Sequence, residues 1–70
     1  MWTPTAPIVI AGYTLTRDEA WLREFTREWF RLARGDAEEE RVADQAIDLL
    51  AASGERDPVE VARAAWMAAS

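Results

Sequence analysis

The sequence predicts a small, mainly α domain of three helices, preceded by a short β-strand or hairpin. Apolar residues recur at helical spacing in three segments, and each segment is bounded by residues that favour helix starts or stops. Near the N-terminus, β-branched and aromatic residues flank a glycine, which is typical of a short strand or hairpin. If these strands pack as a layer on the helices, the fold is α+β.

The chain has 70 residues, and we expect one compact domain over residues 8–70 after an extended tail over residues 1–7. Pro4 and Pro7 disfavour regular structure in this tail, and Trp2 is its only anchor. A domain of this size has about 3–5 kcal/mol of net stability. Because the chain contains no cysteine and no histidine, packing or oligomerisation must supply that stability.

The first predicted element lies on either side of Gly12. Residues 8–10 are Ile-Val-Ile and residues 13–15 are Tyr-Thr-Leu, and both runs favour extended backbone. One strand or a hairpin fits this pattern. An isolated hairpin is only marginally stable, so we expect it to lie on the helices or to pair with another chain.

Helix 1 is predicted from about Arg17 to Arg34. Thr16 and Glu19 form a capping box at its start, and Gly35 supplies its C-cap. At about 100° per residue, four large apolar side chains fall on one side and are expected to form the core. They are Trp21, Phe25, Trp29 and Leu32.

Asp36, followed three residues later by Glu39, repeats the pattern that marks a helix start. Helix 2 is therefore predicted to begin at Asp36 and to end at Ser53-Gly54. Its apolar residues continue a period of 3.6. They are Val42, Ala46, Ile47, Leu49 and Leu50.

Helix 3 is predicted from Pro58 to Ala69, because Asp57 is a good N-cap and proline is favoured at the first helical position. Its inner stripe is expected to be Val59, Ala62 and Trp66.

Phe30 points roughly opposite Trp21, beside a row of arginines on helix 1. We expect helix 1 to be central and to bury this second face against the hairpin. The alternative makes Phe30 an exposed anchor ringed by arginines, the composition that interface hot spots favour. Ion pairs between residues three or four apart on helix 1 also explain the row of arginines. They are Glu19 with Arg23, Glu24 with Arg27, and Glu28 with Arg31. The candidate partner-binding residues here are Phe30, Arg23, Arg27, Arg31 and Arg34.

The second half of the chain is strongly acidic. Residues 1–34 carry five arginines and four acidic residues, whereas residues 35–70 carry three arginines and nine acidic residues. Glu40, Asp44 and Asp48 recur every four residues, about 6 Å apart along one side of helix 2. This row is a solvated face, an internal partner for the helix 1 arginines, or a recognition surface for a basic partner.

Residue types exclude several functions. Without histidine, cysteine or lysine, nucleophilic catalysis has no base and a phosphate-binding loop has no lysine. Asp36, Glu38 and Glu40 alternate like a calcium loop, but Arg41 and Ile47 stand where glycine and glutamate are needed. We therefore expect no enzyme, no cofactor and no metal.

Direct nucleic-acid binding and membrane insertion are also not expected. The last helix is alanine-rich and lies in the acidic half of the chain, so it offers few contacts to bases or phosphates. The longest apolar runs are far shorter than a membrane span.

The expected function is that of a small, soluble, non-enzymatic protein-binding module in the cytoplasm. Size and charge suggest an inhibitor or adaptor of phage or plasmid type. Its acidic row would bind a basic protein surface, even one that normally holds nucleic acid, or the Phe30 face would bind a partner. The alternative is a homo-oligomeric structural module, such as a homodimer, that pairs through helix 3 or through the N-terminal strand.

Overall fold

Three helices and an N-terminal hairpin form the fold in a computed structural model that describes residues 1–69. Ser70, the last residue of the predicted domain, lies outside the described residues. The fold class predicted from the sequence is confirmed. The elements are β1 (Val9–Ile10), β2 (Tyr13–Thr14), α1 (Arg17–Leu32), α2 (Glu39–Ser53) and α3 (Pro58–Ala69).

The N-terminal strands form a two-residue antiparallel hairpin, in which Val9 lies opposite Thr14 and Ile10 opposite Tyr13. Ala11 and Gly12 connect the strands with φ angles of 52° and 80°. Two successive positive φ values give a turn whose twist matches that of paired strands, and glycine adopts them without steric cost.

This hairpin does not lie on the helices, contrary to the expectation that α1 would bury a face against it. Both strands are exposed, and their main contacts are with each other. The hairpin is instead held at its base, where the Leu15 N–H donates to the Ile8 carbonyl at 2.9 Å. The Tyr13 hydroxyl also donates to Glu19 Oε1 at 2.9 Å.

The predicted capping box begins α1. The Glu19 N–H donates to Thr16 Oγ1 at 3.2 Å, and the Thr16 N–H donates to Glu19 Oε1 at 2.8 Å. These hydrogen bonds satisfy two N–H groups that have no partner within the helix. The Thr16 bond is the largest of the causes that lower the pKa of the Glu19 carboxyl below its usual range.

The end of α1 differs from the prediction by two residues. The helix stops at Leu32, and the Gly35 N–H donates to the Phe30 carbonyl at 2.8 Å while the Arg34 N–H donates to the Arg31 carbonyl at 3.2 Å. This is a Schellman end. Its left-handed residue is Arg34, with φ of 55°, and Gly35 follows it with φ of 77°.

The predicted start of α2 is wrong. Asp36 belongs to the turn that ends α1, because its N–H donates to the Ala33 carbonyl at 3.0 Å. The helix therefore begins at Glu39, and its N-cap residue Glu38 makes no side-chain capping bond. Ala37, which would have been its first helical residue, packs against the core instead.

The predicted start of α3 is confirmed. Asp57 Oδ1 accepts from the Val59 N–H at 2.9 Å, and α3 spans Pro58–Ala69 as expected.

The core lies along α1, which packs on both α2 and α3. Trp21 and Phe25 are fully buried, and their rings stack with centroids 5.5 Å apart. Trp29 continues the stack at 6.0 Å from Phe25 and meets the ring of Trp66 edge-on at 5.2 Å. Buried apolar residues from all three helices form the centre of this core: Ala20, Trp21, Phe25, Val42, Ala46, Val61 and Ala62.

Two details of the predicted stripes are corrected by the structure. Ile47, which follows the period of α2, is 55% exposed. In α3, Val61 is buried whereas the predicted Val59 is only half-buried. Among residues 1–69, no helix combines the length and the apolar character needed to cross a membrane.

Candidate protein-binding surfaces

Glu40, Asp44 and Asp48, which we call the acidic face, lie on the exposed side of α2. Their neighbours Val42 and Ala46 point the other way and are buried, so helical geometry directs the three carboxylates into solvent. Within residues 1–69, none of the three carboxylates takes part in an ion pair or a side-chain hydrogen bond. The cation nearest to them along the helix, Arg41, lies 3.3 Å from Glu38 Oε2 instead, so the acidic face has no ion-pair partner in the described part of the chain.

The arginines of α1 do not neutralise the acidic face. Arg23 Nη1 lies 3.1 Å from Glu24 Oε1, so Glu24 pairs with its chain neighbour rather than with Arg27 as predicted. Glu19 is used in the capping box, and the predicted pair between Glu19 and Arg23 is also wrong. In the described part of the chain, Arg27 has no ion pair.

One predicted pair, Glu28 with Arg31, is present and belongs to a larger cluster that sequence reasoning missed. Glu28 is 7% exposed and reaches from α1 towards α3. Its Oε1 and Oε2 accept from Arg31 Nε and Nη2 at 2.7 Å each, and Oε2 also accepts from Arg63 Nε at 2.8 Å. Two guanidinium groups thus share one buried carboxylate, which connects α1 to α3. We call these three residues the Glu28 cluster.

The two arginines of the Glu28 cluster favour the ionised form of the Glu28 carboxylate. The Arg31 guanidinium, assisted by Arg63 and opposed by burial, lowers the pKa of Glu28 from 4.5 to about 2. The same contact raises the pKa of Arg31. The sequence contained a signal for this cluster, because Glu28 follows Trp21 by seven residues and so lies within the buried stripe of α1.

Three hydrogen bonds hold the loop between α2 and α3. Arg17 Nη1 donates to the Gly54 carbonyl at 2.6 Å, and Trp21 Nε1 donates to the Arg56 carbonyl at 2.9 Å. Between them, the Trp2 N–H donates to the Glu55 carbonyl at 3.0 Å.

Trp2 also packs against the core, so the predicted anchor of the N-terminal tail contacts the domain by backbone and ring. In the loop between α2 and α3, the carbonyl groups of Gly54, Glu55 and Arg56 each accept one of these three hydrogen bonds.

Phe30 is half-buried and packs against the core. Of the arginines predicted to surround it, Arg31 is held by Glu28, and Arg34 adopts the left-handed backbone conformation at the end of α1. Arg23 and Arg27 lie on the exposed or half-exposed side of the same helix. The structure therefore assigns different local roles to residues that the sequence placed in one row.

A shallow apolar groove lies between α1 and α2, with a volume of about 180 Å³. Leu22 and Thr26 line it from α1, and Ala43 and Ile47 line it from α2. Ile47 is the isoleucine of the apolar period of α2 that is exposed in the structure. The groove was not predicted from the sequence.

Comparison with known proteins gives no relative: no family model, no curated protein and no solved structure matches this chain. Over residues 1–69, no group of three or more acidic side chains is arranged to hold a metal ion.

Proposed function

We propose that this chain is a small, non-enzymatic protein-binding module whose acidic face docks on a basic protein surface. The observation that carries the proposal is that Glu40, Asp44 and Asp48 are exposed on one side of α2. Each carboxylate is exposed, and none has an ion-pair partner in residues 1–69. Carboxylates repeated at about 6 Å present a regular negative surface to a partner.

Complementary charge would mainly speed association and select the partner. Oppositely charged surfaces steer encounter and suppress binding to proteins of the same charge. A chain with a formal net charge of −5 repels the phosphates of nucleic acid, but it can occupy a protein surface that normally holds nucleic acid. An inhibitor or adaptor of phage or plasmid type, acting in the cytoplasm, is the form of this function that we propose.

The absence of enzymatic activity is part of the proposal. The buried carboxylate Glu28 has a pKa of about 2 and both of its oxygens are occupied by guanidinium groups. A carboxylate with this pKa stays ionised near neutral pH and is a weak general base. The carboxylates of the acidic face are exposed to water rather than enclosed in a pocket.

The proposal is tested by charge reversal with a matched control. Asp44→Lys combined with Asp48→Lys changes the formal net charge from −5 to −1, because each substitution adds two charges. Glu55→Lys combined with Glu60→Lys makes the same change at exposed positions elsewhere. The wild-type chain and both double variants are used to capture proteins from a lysate of a related bacterial host.

We expect the wild type and the Glu55 and Glu60 variant to recover the same basic protein, and the Asp44 and Asp48 variant to lose it. Capture should also weaken as salt is added, because screening shortens the range of charge attraction. Circular dichroism must show the same helix content in all three chains. Capture that survives reversal of Asp44 and Asp48 would exclude the acidic face as the binding surface.

The arginine side of α1 is the second surface of the proposed module. Phe30, Arg23, Arg27, Arg31 and Arg34 remain candidate partner-binding residues there. Phe30 offers only part of its ring to solvent, and Arg31 is held by Glu28. The acidic face is therefore the stronger candidate of the two.

A homo-oligomeric module is the second candidate function, and the exposed hairpin favours it. Val9, Ile10 and Tyr13 are 59%, 48% and 54% exposed, and an unpaired strand edge can pair with another chain. The alanine-rich α3 is the other candidate pairing surface. Light scattering should then show a dimer that Ile10→Lys dissociates, and a monomer at high concentration would exclude this function.

A further inference from the structure

The apolar groove between α1 and α2 borders the acidic face. Ile47 follows Asp44 by three residues and Glu40 by seven, so helical geometry places all three on neighbouring parts of the α2 surface. Ala43, the residue before Asp44, lines the same groove. An exposed apolar surface and the acidic face are therefore continuous along α2.

The volume of the groove limits what can occupy it. Pockets for free small-molecule ligands usually measure about 300–1,000 Å³, whereas this groove measures about 180 Å³. One large side chain of a partner is of suitable size. Interfaces commonly combine such an apolar anchor, seated in a pocket, with a polar rim around it.

The charges around the groove determine which residues flank that side chain. Helical geometry places Glu40 and Asp44 beside it on α2, and both lack ion pairs within the described chain. Arg23, the cation that lines the groove from α1, is bonded to Glu24 at 3.1 Å. Arg23 thus has an ion-pair partner, whereas the two carboxylates beside the groove on α2 have none within residues 1–69 and can pair with cations of a partner.

We propose that the groove binds one large apolar side chain of a basic protein segment, whose flanking lysine or arginine residues contact Glu40 and Asp44. This inference rests on the proposed function, because it uses the same acidic face. It adds the requirement for an apolar anchor and names Ile47 as a residue that determines specificity. A segment that is basic but lacks such an anchor would bind weakly.

A displayed library of random peptides, selected on the intact chain, tests this inference. We expect the selected peptides to combine lysine or arginine with one large apolar residue. A synthetic copy of one selected peptide should bind Ile47→Ser roughly tenfold more weakly or worse than the wild type, which is a typical effect of removing an interface anchor. Ala43→Trp, which fills the groove from an exposed position, should have a similar effect.

Ala52→Ser is the control, because Ala52 is an exposed apolar residue of the same helix that does not line the groove. It should leave peptide affinity unchanged. Replacing the apolar residue of the peptide with alanine should reproduce the loss seen with Ile47→Ser. The alanine-substituted peptide should bind Ile47→Ser only slightly more weakly than either change alone predicts, because both changes remove the same contact.

Two outcomes separate this inference from the proposed function. Selected peptides that are basic but need no apolar residue, and that bind Ile47→Ser normally, would overturn the groove inference and leave the acidic face in place. Peptides that bind equally well after charge reversal of Asp44 and Asp48 would overturn both. Failure to select any peptide enriched in basic and apolar residues would also overturn the groove inference.

Discussion

Replacing Glu28 with glutamine tests whether the Glu28 cluster stabilises the fold. The substitution keeps the shape of the side chain and removes its charge. The carboxylate accepts three hydrogen bonds at 2.7–2.8 Å from Arg31 and Arg63. Glutamine has a single acceptor oxygen, and its amide nitrogen can only donate, so one guanidinium group would face another donor.

The expected magnitude follows from the pKa. A decrease from 4.5 to about 2 corresponds to at most about 3 kcal/mol, at roughly 1.36 kcal/mol per unit. The side chains of Arg31 and Arg63 are 61% and 58% exposed, so solvent screens part of this interaction. We therefore expect Glu28→Gln to lower the free energy of unfolding by about 2 kcal/mol, or roughly half of the stability of so small a domain.

The effect should depend on pH in a defined direction. The pKa of Glu28 is lower in the folded chain than in the unfolded chain, so its stabilisation is complete above a pH of about 4.5. It is lost as the pH falls through about 2. The difference in stability between the wild type and Glu28→Gln should therefore be largest at neutral pH and shrink in acid.

Urea unfolding, followed by circular dichroism and tryptophan fluorescence, measures the loss in the free energy of unfolding and its dependence on pH. The thermal midpoint should fall by roughly 8–16 °C for about 2 kcal/mol in a domain of this size. Glu24→Gln is the control, because Glu24 lies one turn away and, among residues 1–69, pairs only with the neighbouring Arg23. We expect it to change stability by no more than about 0.5 kcal/mol.

Equal losses from Glu28→Gln and Glu24→Gln would refute the reasoning, because the buried cluster would then contribute no more than a surface pair. A difference between the wild type and Glu28→Gln that is constant from neutral pH to about pH 2 would refute the assignment of the pKa.

Backbone geometry at two positions gives further predictions for the same unfolding assay. Arg34 has φ of 55°, which costs a residue with a side chain about 1–2 kcal/mol, so Arg34→Gly should stabilise the chain by up to about 1 kcal/mol after the entropy cost of glycine. A loss of stability would contradict this. At Gly54, an added Cβ would lie 2.5 Å from the Leu50 carbonyl oxygen, so Gly54→Ala should destabilise by about 1–3 kcal/mol. An unchanged urea midpoint would exclude that close approach.

The features predicted correctly from the sequence depend on local backbone chemistry. Thr16 and Glu19 satisfy each other's N–H groups within one turn, and the Asp57 side chain accepts from the Val59 N–H two residues along the chain. These contacts need no knowledge of the rest of the fold. Asp36 shows the limit of such reasoning. It fits the pattern of a helix start, but its N–H donates to the Ala33 carbonyl in the turn that ends α1.

The features that the sequence did not predict depend on which helices are in contact. A period of 3.6 places Ile47 near the buried side of α2, but α2 packs mainly on α1. Part of its apolar side therefore stays exposed, and Ile47 is 55% exposed. Glu28 pairs with Arg63, which is 35 residues away in the chain. No spacing rule within one helix can predict that contact.

Charged side chains on α1 and α2 differ in whether they have partners within the chain, and this difference supports the proposed binding surface. Arg31 and Arg63 are committed to Glu28, and Arg23 is committed to Glu24, so much of the positive charge near α1 has a partner within the chain. Releasing these arginines to a partner protein would break contacts that stabilise the fold.

Glu40, Asp44 and Asp48 have no such contacts among residues 1–69, so an external cation can bind them without breaking an ion pair of the domain. Docking on α2 therefore avoids a loss of stability that docking on the arginine side of α1 would incur at Arg31. In a domain with only about 3–5 kcal/mol of net stability, that difference favours the acidic face.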